Sequence, residues 1–113
     1  ACNGPIPMTP PYARMKTSSN WAGDAIGYGH GRGRLGSAQA WSPWRADGEY
    51  IQIDSGKVQS IAGVVSQGRG DAWAQWVTTY KVMVSDDGLK FTDVQCGGVF
   101  TANSDQTTKV KNL

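Results

Sequence analysis

Apolar positions in this chain recur at every second residue in short runs, and no stretch of useful length shows the 3.6-residue spacing of an amphipathic helix. Residues 49–54 alternate most cleanly, with Ile51 and Ile53 on one face and Tyr50, Gln52 and Asp54 on the other. In residues 77–85, Thr78, Tyr80, Val82 and Val84 share a face, opposite Val77, Thr79, Lys81 and Met83. Residues 60–67 carry Ile61, Val64 and Val65 almost without interruption, the pattern of a strand covered on both faces. Shorter strands are expected at 13–18, 91–94 and 99–101, with another beginning at Lys109. Turn chemistry separates these runs. Asp54-Ser55-Gly56-Lys57 reads as a turn, Ser85-Asp86-Asp87-Gly88 as a tight hairpin, and Gly97-Gly98 as a second hairpin joining 91–94 to 99–101. The pattern predicts an all-β chain with turns at sandwich-like spacing.

Two segments fall outside the alternation. Pro5, Pro7, Pro10 and Pro11 make residues 1–12 an extended arm, which leaves 13–113 as the domain. Residues 20–36, NWAGDAIGYGHGRGRLG, hold glycine at 23, 27, 29, 31, 33 and 36 and have no periodicity. Glycine density predicts a flexible surface loop, and so long a loop in a compact domain is often a functional one.

Composition narrows the function. At 113 residues the chain has room for one core. A net charge of +2 is too weak a footprint for nucleic acid, and no nucleic-acid partner is expected. No apolar run approaches the ~20 residues of a spanning helix. Cys2 and Cys96 have neither CxxC spacing nor a neighbouring histidine, so no zinc site is expected. They pair with each other, or at least one pairs outside the chain. A disulfide would imply an oxidising compartment.

The residues of chemistry are sparse. His30, the one histidine, lies in the Gly-rich loop, and Asp86 and Asp87 fall where aspartate serves a turn. Gly31-Arg32-Gly33-Arg34 lacks the Lys-Ser/Thr end and the following helix of a phosphate loop. The chain is therefore expected not to be an enzyme. Its tryptophans carry more information, four of the five lying within residues 41–91. Trp41 is read as core, while Trp44 and Trp76 divide between packing and exposure. Trp73 follows a Gly-Arg-Gly-Asp turn, where an exposed aromatic points to a ligand face. Trp21 stacks on a sugar, enters a membrane interface, or folds back on its own loop. Arg69 and Asp71 offer a donor fork and an acceptor for sugar hydroxyls, an arginine for a lipid phosphate, or a mutual pair that holds the turn. Arg69-Gly70-Asp71 also spells the tripeptide read by integrins, on its own a weak signal.

Several blocks together resemble the discoidin, or coagulation factor V/VIII C-type, domain family. They are Arg34-Leu35, Ala40-Trp41-Ser42-Pro43, Glu49 to Gly56, Gly63 to Arg69, Gln75 to Val82, Ser85 to Gly88 and Asn103-Ser104-Asp105. The opening Cys2 and Pro5-Ile6-Pro7-Met8 is similar too. The resemblance implies a jelly-roll-like antiparallel β-sandwich with ligand-binding loops at one end, here Asn20–Arg32, Gly36–Ala40 and Gly68–Trp73. It implies a non-enzymatic, secreted or cell-surface module for adhesion. The family's ligands are cell-surface glycans, often galactose-type, anionic phospholipids, or protein partners such as receptors. In the lectin-like members the arginine and acidic residue after Gln-Gly are associated with sugar, and they map to Arg69 and Asp71. Some members bind calcium, but no acidic cluster for it is evident here, and no cofactor is expected. The family's sandwich also continues through further core strands to a cysteine that pairs with the N-terminal one. Cys96 does not lie at that position. The expectation is therefore a domain short of its final strands, a fragment or one completed by another chain, and unstable alone as a monomer.

The expected contact set is Asn20, Trp21, His30, Arg32, Arg69, Asp71 and Trp73, with a galactose-type glycan as the favoured ligand. Anionic phospholipid, met through Arg32, Arg34 and Arg69, is the first alternative. Integrin docking is the second.

Overall fold

The computed structural model describes residues 8–112. The N-terminal part of the expected arm and Cys2, with its pairing, lie outside the described residues. Among those residues there is no α-helix; the chain is built from short antiparallel ladders and 3₁₀ turns. It divides into two compact units, Ala1–Ala62 and Gly63–Leu113.

In the first unit, β1 (Met15–Thr17) pairs antiparallel with β2 (Ile51–Ile53) in the register Met15 to Ile53 and Thr17 to Ile51. β1 falls inside the short strand expected at 13–18, and β2 inside the alternating run at 49–54. Met15 is buried, whereas Ile53 is half exposed, so only part of the expected apolar face of β2 is covered. The turn after β2 is local chemistry: the Asp54 carboxylate accepts the Gly56 N–H at 2.7 Å.

In the second unit, β3 (Val64–Ser66) pairs with β8 (Val110–Asn112). The run at 60–67 is strand only in this central part. Ile61 and Val65 are exposed, against the expectation of a strand covered on both faces. The 77–85 run is also shorter than predicted. It is broken into β4 (Thr79–Tyr80) and β5 (Met83–Val84). β5 pairs with β6 (Thr92–Asp93), and β4 pairs with β7 (Phe100–Thr101).

The expected hairpin at Gly97-Gly98 is consequently absent from the structure. β6 and β7 do not pair with each other; both return along the 79–84 segment. Between the pairs Tyr80–Phe100 and Met83–Asp93, one side has two residues, 81–82, and the other has six, 94–99. The four extra residues are taken up by a 3₁₀ turn at Val94–Gly97, in which Gln95, Cys96 and Gly97 take positive φ values of 51°, 55° and 79°. This is an enlarged β-bulge, and it breaks the long strand that alternation predicted. Alternation counts only one partner's residues, so it could not reveal the bulge. The hairpin signalled by Ser85–Gly88 does form between β5 and β6, but its loop runs through seven residues, 85–91, and is not the tight turn expected. Asp87 accepts the backbone N–H groups of Leu89 and Lys90 at 2.8 and 3.0 Å, and Gly88 supplies the left-handed φ of 75°.

Candidate functional site

The Gly-rich segment of the first unit is tied by hydrogen bonds rather than loose. Asp24 is its hub. One carboxylate oxygen accepts the backbone N–H of His30 at 2.9 Å and the His30 Nδ1 at 2.7 Å. An ionised carboxylate only accepts, so Nδ1 carries the proton. These bonds, the backbone one first, hold the Asp24 carboxyl below the usual carboxylate range. Asn20 donates to the Asp24 carbonyl at 2.7 Å and accepts from the Thr17 hydroxyl. Arg32 donates to the Gly29 carbonyl and to the Gln39 side chain, and Gly31 bridges to Trp41. Through these bonds Asn20, His30 and Arg32 shape the loop. Arg34 lies over the Tyr12 ring, 5.7 Å from its centroid, and donates to the Thr9 carbonyl.

Trp21 is what this scaffold presents. It is 46% exposed and lies against Trp44, itself 52% exposed, with ring centroids 4.7 Å apart and planes tilted by 41°. The backbone N–H of Trp21 donates to the Ser42 carbonyl, and that of Trp44 to the Ser19 hydroxyl, so the rings are fixed at both roots. Trp41 is only partly buried, and its indole N–H donates to the Ser19 carbonyl at 2.9 Å.

In the second unit, the loop at 68–75 is built around Arg69, which is 7% exposed. Its Nε and Nη2 donate to the two carboxylate oxygens of Asp71 at 2.7 and 2.9 Å, and Nη1 donates to Gln75 at 2.8 Å. This planar two-bond pair is the geometry in which guanidinium and carboxylate hold each other best. It is the first cause that lowers the Asp71 pKa. Asp71 also accepts the Trp73 N–H, and the Gln75 N–H donates to the Trp73 carbonyl. At the tip, Trp73 is 65% exposed.

The loop rests on a second one, 103–108. Asn103 is almost wholly buried and donates to the carbonyls of Ser66 and Thr108. Asp105 accepts the N–H groups of Thr107 and Thr108 at 3.0 and 2.7 Å. Between them, the Gln106 amide nitrogen reaches the carbonyls of Arg69, Asp71 and Trp73 at 3.1, 2.8 and 2.7 Å. The sequence reading missed Gln106, Asp24 and the Trp44 partner of Trp21. The first two are single polar residues in no motif, and only the fold reveals what they touch.

The structure therefore brings Asn20, His30 and Arg32 together around one loop and Arg69, Asp71 and Trp73 together in another, each within its own unit. Among the described residues no group of three or more His, Cys, Asp or Glu side chains is arranged to hold a metal ion, and no helix is long and apolar enough to cross a membrane.

Residues 14–113 match the F5/8 type C domain model. Lactadherin from Mus musculus is 32% identical over 99% of this chain and 27% of its own length. Discoidin-1 from Dictyostelium discoideum is 30% identical over 88% of this chain and 42% of its own. Discoidin-2 from the same organism is 31% identical over 68% of this chain and 30% of its own. The chain thus spans less than half the length of each of these relatives. No solved structure matches it. Short antiparallel ladders without α-helix, displayed tryptophan loops and a match that runs from β1 to the end of β8 lead to one assignment: the chain belongs to the F5/8 type C, or discoidin, domain family and has its jelly-roll-like β-sandwich fold.

Proposed function

We propose that the chain is a non-catalytic, extracellular adhesion module that binds galactose-type cell-surface glycans, with Trp73 as the platform for the apolar face of the sugar. The observation that carries this reading is the 68–75 loop, which holds a large aromatic 65% exposed on a backbone fixed from beneath. A pre-ordered loop spends little of its binding energy on ordering itself. The polar chemistry beside Trp73 suits a neutral polyol. A carboxylate offers about four lone-pair positions, and Asp71 uses three, on Arg69 Nε, Arg69 Nη2 and the Trp73 N–H. One remains for a sugar hydroxyl on a side chain that is 33% exposed. Arg69 and Asp71 then act mainly as the support that aims Trp73.

The same geometry weighs against the alternatives. Anionic phospholipid needs cations that reach outward, yet two of the three arginines expected to meet it, Arg32 and Arg69, donate internally, which leaves exposed Arg34 with its one bond to the Thr9 carbonyl. For integrin docking, the arginine and aspartate of Arg69-Gly70-Asp71 would have to meet a partner separately, whereas here they neutralise each other.

A glycan array run beside phosphatidylserine liposomes tests the proposal. Binding to galactose-terminated glycans that changes little between low and high salt is the expected result. Liposome binding that weakens steeply with salt, without glycan binding, would contradict it.

A further inference from the structure

We infer that Gln106 is the positioning residue of the Trp73 loop. This rests on the glycan-binding role just proposed for that loop. Three backbone carbonyls, those of Arg69, Asp71 and Trp73, converge on the Gln106 amide nitrogen at 3.1, 2.8 and 2.7 Å. A primary amide has only two N–H groups, so they are shared among three acceptors on the same short loop. Each acceptor is 33 to 37 residues away in the chain, and these bonds are therefore a tertiary tie and not turn chemistry. They run along the inner edge of the loop from its base to its aromatic tip.

Gln106 is itself held. The Asp105 turn and the Asn103 bonds fix the backbone on either side, and Gln67 donates to the Thr107 carbonyl at 2.8 Å. The loop is thereby clamped twice. The Arg69–Asp71–Gln75 bonds close it from within, and Gln106 sets where its tip stands.

The donor chemistry decides the test. Gln106→Glu keeps the shape of the side chain but replaces the donor with an acceptor facing three carbonyls. Gln106→Met keeps the length and contributes no polar group. If Gln106 only fills space, the glutamate variant should behave like wild type. If it positions the loop through its N–H groups, the order is wild type, then methionine, then glutamate. The readouts are NMR hydrogen exchange at the Arg69 and Gln75 amides, which donate to the Gln75 and Trp73 carbonyls within the loop, together with lactose affinity. We expect about tenfold faster exchange at those positions in Gln106→Glu, as for loss of a full hydrogen bond, and about tenfold weaker lactose binding. Exchange at the β3–β8 ladder should be unchanged.

Unchanged exchange at 69–75 in a folded Gln106→Glu protein would overturn the inference. So would wild-type lactose affinity in a variant whose loop has loosened, and so would failure of both variants to fold, which would make the tie a folding element. If wild type binds no lactose while the exchange order holds, the glycan reading fails and the positioning of Trp73 stands.

Discussion

Replacing Gly68 with alanine separates the two loops without touching a side chain of either. A Cβ at this position would lie 2.6 Å from the Gln106 Cα, 2.7 Å from the Asp105 carbonyl oxygen and 3.2 Å from the Gln106 carbonyl carbon. All three are backbone atoms, so no side chain can swing away. Ordinary contact begins at about 3.5 Å, and the loops must therefore part by roughly 1 Å. A movement of that size takes the three Gln106 bonds from 2.7–3.1 Å to lengths at which they no longer count as hydrogen bonds. Overpacking of this kind costs about 1–3 kcal/mol. In a domain near this size each kcal/mol lowers Tm by roughly 4 °C or more. Gly68→Ala should melt several degrees below wild type in a scan followed by circular dichroism. It should also show fast exchange at 69–75 and weakened glycan binding. A variant with wild-type Tm and wild-type protection at Arg69 and Gln75 would refute the close approach and the clamp built on it.

Acid should loosen these two loops together with the Gly-rich segment and the turn after β5. The carboxyls of Asp24, Asp71, Asp87 and Asp105 all sit below their usual 3.8, held chiefly by the His30 N–H, the Arg69 guanidinium, the Lys90 N–H and the Thr108 N–H respectively. A folded pKa below the unfolded one contributes stability that is complete above the ordinary aspartate range and lost as pH falls through and below it. Denaturant midpoints should therefore hold from pH 7 to about 5 and drop towards pH 3, and a midpoint that rose on acidification would contradict these assignments. At the other tryptophan surface, rings 4.7 Å apart should couple as an exciton pair in circular dichroism. Trp21→Ala and Trp44→Ala should each abolish that couplet while the fold is kept, and survival of the couplet in either variant would mean that the two rings do not meet.

What the sequence made legible follows from what local physics controls. The Asp87-Gly88 turn and the Asp54 turn were readable because a short acceptor and a permissive glycine act within three residues. β2 was readable because alternation reports a half-covered strand, and β1 and β8 fall where short strands were expected. The bulge at 94–99 was not, since it is a mismatch between two partners and only pairing reveals it. Gly-rich residues 20–36 suggested looseness, but Asp24 turns the segment into a hydrogen-bonded frame. The candidate site divides in the same way. Trp73 was legible as a large apolar residue just after a turn. The pairing of Arg69 with Asp71 was one of three readings that residue type allowed, and the burial of Arg69 selected it. Gln106 was invisible, because its significance lies in three carbonyls more than thirty residues away.

An exposed Trp73 on a clamped loop is the sugar platform we propose. Calorimetric titration of a galactose-terminated oligosaccharide into wild type and Trp73→Ala tests it most directly. Trp73 is 65% exposed and it joins the loop's hydrogen bonds through its backbone, so the alanine variant should keep its fold and melting temperature. Wild-type binding should be saturable and should weaken by at least about tenfold in Trp73→Ala, a loss of roughly 1.4 kcal/mol or more. Equal affinity in the two proteins, at equal stability, would contradict it.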